Sequence, residues 1–362
     1  MMLNAFKKVI IQLATGANVV TVLLLWACAA SVYVNPSFSA LLGILGLAFP
    51  GFLLANLFFL VFWGLFSWKH LWIPVVGFVA CAGSIRTYIP LNVPSPHPKG
   101  SIKVLSYNVL AFGEGLKNEK GENVVAAYMK SSDADIICFQ EGATGKDVWH
   151  KEVLGKLSKR LPYHDTIRVG TMGNVLGCIS HFPIVGKERI TYDSKTNGSV
   201  VYKLLLARND TLLVVNNHFE SNKLTMEDRA LYKQMIKQPK QAPLERNSRF
   251  LLSKVGHAGA VRASQVDSVV AYLLRHTTNS IILCGDFNDS PISYTHNRIA
   301  EHLNDAYVKT GNGPGYSFNR DGIFVRIDNL FCSNDWQPYG CKVDKTILAS
   351  DHYPIYGYFK RK

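Results

Sequence analysis

The chain has 362 residues, with 39 basic and 26 acidic side chains, 11 histidines and a formal net charge of +13. That length suits one large domain with an appendage, or two modest domains. Seven cysteines are scattered without a CxxC pair or a Cys/His spacing suited to zinc, which excludes a cysteine-built metal framework.

The charge is unevenly distributed. Residues 1–100 hold five basic side chains (Lys7, Lys8, Lys69, Arg86 and Lys99) and no acid, so residues 101–362 carry 34 basic and 26 acidic groups, a net +8. Three apolar spans can be read in the first part. Val9–Val34 is diluted by Gln12, Thr15 and Asn18. Ala40–Phe66 runs 27 residues without a charge, enough to cross a bilayer with tilt. Leu71–Ile89 is shorter, and Arg86 near its end can snorkel to the interface. Trp63, Trp68, Trp72 and Tyr88 lie near span ends, as aromatic belts do.

A signal peptide competes for the first span, but no small-residue cleavage site stands out and further apolar sequence follows. With Lys7 and Lys8 inside, and Lys69 with His70 in a second inside loop, three crossings put residue 90 onward outside the cytoplasm. If the first span only lies on the membrane, that part faces the cytoplasm instead. The expected division is a transmembrane region at 1–89, a stiff linker at 90–100 set by Pro90, Pro94, Pro96 and Pro98, and a soluble domain at 101–362.

From Ser101 short apolar strands alternate with helical segments. Strands are expected at Ile102–Tyr107, Ala134–Phe139 and Val175–Ser180. Helices are expected at Glu122–Ser132 and, basic in character, within Asp147–Arg160. Val200–Ala207 and Thr211–Asn216 read as a hairpin across Arg208-Asn209-Asp210. Thr225–Gly256 reads as helical pieces broken by Pro239 and Pro243, followed by a separate helix Ala260–His276 with Val266, Val269, Val270 and Leu273 on one face. Ile281-Ile282-Leu283-Cys284 is a buried strand, Phe324–Phe331 another, and Ile355–Phe359 the last. Cys332 and Cys341 are the one pair placed to bridge a hairpin; buried free thiols are the default elsewhere. Many short strands with few helices between them suggest two packed sheets flanked by helices, not an alternating parallel sheet.

The strands share one feature. They run into Asn108, Glu141, His218, Asp286 with Asn288, Asp328, and Asp351 with His352. Singly, each is a turn or cap residue; together they send oxygen ligands and imidazoles to strand ends, where sites are commonly built.

Ser106-Tyr107-Asn108-Val109, Gln140-Glu141, Asn216-Asn217-His218, Gly285-Asp286-Phe287-Asn288, Arg326-Ile327-Asp328 and Ser350-Asp351-His352-Tyr353-Pro354 resemble, in order, the motif set of the endonuclease/exonuclease/phosphatase superfamily. The resemblance covers about residues 101–360. It implies an α+β fold, a four-layer α/β/β/α sandwich of the DNase I-like kind following the all-α transmembrane segment. It also implies an enzyme: a Mg²⁺- or Mn²⁺-dependent hydrolase of phosphate esters. Hard divalent cations take oxygen ligands, so Glu141 is expected as the principal metal carboxylate, with Asn108 and Asp351 as further partners. Asp286 and Asn288 are expected to hold the attacking water and touch the phosphate. His352, oriented by Asp328, is expected to face the phosphorus, and His218 to donate to a phosphate oxygen or assist the leaving group. Arg262 and Gln265 read as supporting or packing residues, and Asn174 as a candidate for the cleft wall.

Trp-x-Gly-Asp and Cys-Asp-Arg patterns are missing, which sets the chain apart from the inositol-phosphatase branch. The presence of His218 sets it apart from abasic-site enzymes. A membrane-anchored phosphodiesterase, DNase-like or sphingomyelinase-like, is the leading expectation, with nucleic acid or a phospholipid headgroup as substrate and the bilayer as a further partner. No obligatory protein partner is indicated. A phosphomonoesterase acting on a lipid or sugar phosphate is the alternative, and a non-catalytic binding protein that keeps the fold is the contrasting one. Lys233, Lys237, Lys240, Arg246, Arg249 and Lys254 cluster between His218 and Arg262, either as a polyanion-binding surface or as a solvated basic face.

Overall fold

A computed structural model describes residues 2–142, 153, 160–170, 174–237, 244–320 and 322–362. The basic helix expected within 147–160 falls almost wholly outside them. The N-terminal part is helical: α1 (Met2–Ala30), α2 (Ala40–Ile44), α3 (Phe49–Phe66), α4 (Trp72–Ala80) and α5 (Ala82–Tyr88). Two helical stretches, Phe6–Tyr33 and Ala40–Phe66, are long and apolar enough to cross a membrane; α4 and α5 make a third if counted as one span bent by 65°. Their outward faces carry exposed Leu13, Leu54, Phe58, Leu65 and Val79.

Inside the bundle, Asn18 and Asn56 are fully buried and bonded to each other at 3.2 Å, and Trp63 Nε1 donates to Asn18 Oδ1 at 2.9 Å. Such amides join helices where hydrocarbon offers no polar alternative. α1 and α3 run antiparallel, so Lys7, Lys8 and the α3–α4 turn at Lys69 lie at one end. The other end touches the rest of the protein: Ile292 packs among Leu25, Cys28 and Phe49.

The remaining chain forms two six-stranded sheets. The first has the order β13-β14-β1-β2-β4-β3, built from β1 (Ile102–Asn108), β2 (Ile136–Gln140), β3 (Tyr163–Val169), β4 (Asn174–Ser180), β13 (Trp336–Val343) and β14 (Ile355–Arg361). The second has the order β5-β6-β7-β8-β12-β9, built from β5 (Ile184–Ile190), β6 (Gly198–Ala207), β7 (Asp210–His218), β8 (Ser280–Asp286), β9 (Asn304–Asp305) and β12 (Asp328–Cys332). Their inner faces enclose Val104, Ile136, Cys138, Val214, Ile282, Cys284 and Leu330. The outer face of the first sheet is covered by α6 (Val124–Ser131) through Val125 and Met129. α7 (Met226–Lys237) leads toward α8 (Leu244–Arg275), which with α9 (Tyr294–Ala300) covers the second sheet through Val266, Val269, Val270 and Ile299. The short α10 (Ala306–Thr310) packs beside β13. The result is a four-layer α/β/β/α sandwich.

Several expected elements change. The helical pieces expected within Thr225–Gly256 on either side of Pro239 and Pro243 are present as α7 and the start of α8, but the second is not separate from the helix expected at Ala260–His276: α8 runs unbroken for 32 residues. Gly256 and Gly259 survive inside it because they face the N-terminal segment, where a Cβ on Gly256 would lie 2.7 Å from Ala40 and one on Gly259 3.6 Å from Pro36. The expected strand Phe324–Phe331 is split into β11 (Ile323–Val325), which forms a hairpin with β10 (Phe318–Arg320), and β12, separated at Arg326-Ile327. Cys332 and Cys341 are separate buried thiols, because β12 and β13 belong to different sheets and not to one hairpin. The segment 90–100 is held against the sandwich: Asn92 Nδ2 donates to Val308 O at 3.1 Å, and His97 stacks on Tyr358.

Candidate active site at the end of the paired sheets

Strand alternation decides which side chains reach the site. In β7, Leu212 and Val214 face the core between the sheets, so Asn216 and His218 face the same way at its end. The same period carries β1 from Val104 to Asn108, β2 from Ile136 through Cys138 to Gln140, and β8 from Ile282 through Cys284 to Asp286. β12, running the opposite way, starts at Asp328 and continues to Leu330.

Register then lines the groups up. His218 stands opposite Asp286 across β7–β8, and Asp286 stands opposite Asp328 across β8–β12. Gly285 permits this row. At φ +133° it has no Cβ, and one built there would lie 1.9 Å from Asn217 O. Facing this row from the other sheet, Asn108 pairs with Gln140, and Glu141 follows directly.

Asn108 Nδ2 joins the sheets, donating to Glu141 Oε1 at 3.2 Å and to Asp286 Oδ2 at 3.1 Å. His218 Nδ1 accepts from Asn174 Nδ2 at 3.2 Å, which leaves the proton on Nε2. That Nε2 lies 3.5 Å from Glu141 Oε1 and 3.7 Å from Asp286 Oδ2. It is buried with no hydrogen-bond partner among the described residues, as is Asp328 Oδ1. Native proteins rarely bury polar atoms unpaired, so each has room for a water or a ligand.

His352 Nδ1 donates to Asp328 Oδ2 at 2.8 Å, and its Nε2 lies 3.6 Å from Asp286 Oδ2. Burial alone would push the imidazole's pKa down, but the Asp328 and Asp286 carboxylates hold it up at about 10. Burial pushes Asp286 up to about 6; His352 and His218 oppose the rise, while Asp328 adds to it. Asp286 keeps its orientation through Asn288, whose backbone N–H donates to Oδ1 at 2.8 Å. Asn288 sits at φ 51° and Glu141 at φ 54°, both in the left-handed region where non-glycine residues are strained and where functional loops concentrate.

The expected residues Asn108, Glu141, His218, Asp286, Asn288, Asp328 and His352 therefore meet in one cleft. Asp351 stands at its rim, where its carboxylate pairs with Arg320 at 3.2 Å. Asn174 touches His218 directly. Arg262 is buried behind Asn288, bonding Asp289 at 3.2 Å and Glu220 O at 2.9 Å, and Gln265 Oε1 accepts from Glu220 N–H at 2.8 Å.

Three features escaped the sequence reading. Gln140 and Asn216, quoted above within the motifs but given no role, bridge the sheets, Gln140 Nε2 donating to Asn216 Oδ1 at 2.7 Å. Phe318 packs edge-on against His352 from the β10–β11 hairpin. Residues 110–115 form a left-handed turn, costly for L-residues, tied to Glu141 by Ala111 N–H donating to Glu141 O at 2.8 Å.

Buried paired carboxylates beside two histidines, in a cleft between two sheets, are groups able to give and take protons. Residues 105–352 match the profile of the endonuclease/exonuclease/phosphatase family, and the chain belongs to that family. Residues 8–88 match a domain of unknown function (DUF8431). No curated protein matches the chain by sequence.

Among solved structures, ANGEL2, a 2',3'-cyclic phosphatase, is similar at 14% identity with a TM-score of 0.51, over 72% of this chain and 95% of that one. The human Nocturnin catalytic domain with bound sulfate aligns at 17% identity and a TM-score of 0.49, over 75% and 96%. Sphingomyelinase C from Streptomyces griseocarneus aligns at 17% and 0.48, over 72% and 99%. The fold is the DNase I-like sandwich. The family generally depends on a divalent metal, and Asp286, Asp328 and His352 offer ligand atoms within 4.8 Å of one another, a candidate cation site.

Proposed function

We propose that the protein is a membrane-anchored, divalent-metal-dependent hydrolase of phosphate esters, acting on a diester. The observation that carries this is the unpartnered His218 Nε2, buried between Glu141 and Asp286 and aimed into the cleft. A phosphoryl oxygen there supplies the missing acceptor.

The donor set suits a hard cation. Glu141 Oε1 and Asp286 Oδ2 both accept from Asn108 Nδ2, which brings the two carboxylates together, and Glu141 is the most open of the three, with its side chain 34% exposed. Glu141 with Asn108 would hold Mg²⁺ or Mn²⁺, with Asp351 as a water-mediated partner. The neighbouring Asp286–Asp328–His352 group is the less suitable place, because His352 Nδ1–H already occupies Asp328 Oδ2 and the imidazolium offsets one of the two carboxylate charges. The cation, when bound, neutralises charge on the phosphate and the leaving oxygen.

The chain's own groups do the rest. Asp286, fixed by Asn288 and Asn108, accepts a proton from water as its oxygen bonds phosphorus. The phosphorus–oxygen bond to the leaving group breaks while His218 Nε2–H donates a hydrogen bond to the leaving oxygen, which takes its proton from solvent water. His352, an imidazolium held by Asp328, donates to a phosphoryl oxygen as charge builds.

The fold also supports a topology. The α1–α2 segment and the end of α5 touch the sandwich: Asn35 Nδ2 donates to Tyr294 Oη at 3.4 Å, and Arg326 Nη2 donates to Thr87 O at 2.5 Å. Lys7, Lys8 and Lys69 lie at the far end of the bundle. The positive-inside rule then makes the far end cytoplasmic and the catalytic domain, residues 101–362, extracytoplasmic. Titration of the full chain with Mn²⁺, followed by a panel of phosphodiesters and monoesters with EDTA controls, tests the activity. Weak Mn²⁺ binding that Glu141→Gln leaves unchanged would reject the metal assignment.

A further inference from the structure

An apolar cleft of about 660 Å³ opens beside the site, within the range of small-molecule pockets. Asn288, Asp289 and Ser290, directly after Asp286, line it. Beside them are Gly46, Leu47 and Pro50, where the α1–α3 connection enters the membrane-spanning α3; Gly46 lies against Ile292 O, which accepts from Ser290 Oγ at 3.1 Å. The rest of the wall is mostly hydrocarbon, with Leu251, Leu252 and Val255 of α8 and Ile323, Phe324 and Val325 of the β10–β11 hairpin.

The surroundings match the edge of a bilayer. Met226, Phe250, Leu252 and Phe324 are exposed beside the cleft, as are Phe38, Leu41 and Leu47 on the neighbouring connection. Gly256 of α8 lies against Ala40, which holds α8 alongside that connection. The same stretch of α7 and α8 carries Lys233, Arg246 and Arg249, the last paired with Glu245 at 2.8 Å. Apolar anchors beside basic groups are the composition of segments that lie in an anionic membrane interface. A polynucleotide would use a basic groove with stacking platforms; Tyr232, Tyr316 and Arg229 also line the cleft, but its exposed surface is mostly hydrocarbon, and the DNA arm of the test below separates the two.

We infer that this cleft holds the hydrocarbon chain of a membrane phospholipid, with its phosphodiester at Asp286 and Asn288, so that the substrate is drawn from the bilayer in which α1 and α3 are anchored. The substrate class rests on the hydrolase reading above, whereas the lipid site itself can be tested apart from it. The two Arg262 bonds to Asp289 and Glu220 O fix the wall where chain and phosphate would meet.

The test uses the full chain in nanodiscs containing phosphatidylglycerol with a diazirine on its acyl chain. Light-induced cross-links are expected at residues 251–255 and 323–325. Leu251→Trp and Val255→Trp should reduce them at least fivefold while hydrolysis of water-soluble bis-p-nitrophenyl phosphate stays within twofold of wild type. Phe324→Asp, on an exposed hairpin where folding is not at stake, should reduce them as well. Cross-links confined to the outer faces of α1 and α3, or unchanged by all three variants, would overturn the inference. So would cleavage of single-stranded DNA that falls in the Trp variants while lipid labelling does not. Labelling in the cleft without hydrolysis of any ester would keep the lipid site and reject the hydrolase; hydrolysis of the soluble ester without cleft labelling would do the reverse.

Discussion

Asp286 and Asp328 stand opposite each other in the register of β8 and β12, two buried carboxylates on adjacent strands. His352 lies between them, 2.8 Å from Asp328 and 3.6 Å from Asp286. The imidazolium makes this pair of acids tolerable in a buried site, and the pair in turn keeps the imidazole charged.

Replacing Asp328 with Asn breaks this exchange. His352 loses the partner that sets its tautomer and holds its pKa near 10. Turnover should fall ~10²–10⁴-fold, the usual worth of a positioned acid or base. The limb of the pH–rate profile that belongs to His352 should move to lower pH. The same linkage affects stability in metal-free protein. The folded state holds the proton more tightly than the unfolded chain, so this contribution is complete below about pH 6.5 and is lost as pH rises toward about 10. Urea unfolding across that window in EDTA measures it.

Asp286 is shifted the same way, from an ordinary 3.8, so stability again falls as pH rises, here up to about 6. Burial raises its pKa to about 6, so keeping it ionised at neutral pH works against folding. Asp286→Asn should therefore abolish turnover, removing more than ~3 kcal/mol of transition-state stabilisation. In EDTA the variant should melt at a higher temperature than wild type. Steady-state kinetics and a melting curve on the same preparation decide both.

Arg326 joins the two halves of the molecule. It is fully buried, lies over the Tyr307 ring, and donates to Pro314 O at 3.0 Å and to Thr87 O at the end of α5. Arg326→Met should leave those carbonyls unpaired and cost about 2–4 kcal/mol. Thermal unfolding in detergent, followed by near-ultraviolet circular dichroism, should show a midpoint several degrees lower.

The topology predicts which positions a membrane-impermeant maleimide reaches. Ser95→Cys, in the exposed segment before the sandwich, should be labelled in intact cells, and Lys69→Cys only after lysis. The reverse pattern would turn the protein over in the membrane.

Much of the site was legible because each strand announces its end: a buried run such as Ile281–Cys284 cannot continue through Gly285, Asp286 and Asn288 without meeting a cleft. The strand alternation that puts Asn108, His218 and Asp286 on core-facing positions was legible for the same reason. What escaped depends on tertiary contacts. β5, with Lys187, Glu188 and Arg189 along it, and β3 are edge strands, whose exposed polar side chains hide the alternation. Gly256 ended one expected helical stretch and Gly259 preceded the next, yet they are the places where α8 meets Ala40 and Pro36. The β10–β11 hairpin is three residues to a strand, too short to carry a period, although it places Phe318 on His352.

The central claim is that these strand ends form a metal-dependent phosphoesterase, and hydrolysis of bis-p-nitrophenyl phosphate by the full chain tests it most directly. Release of p-nitrophenol is expected with Mg²⁺ or Mn²⁺, none with EDTA, and at least a hundredfold loss in Asp286→Asn and in His352→Ala. Turnover that survives EDTA and both substitutions would contradict it.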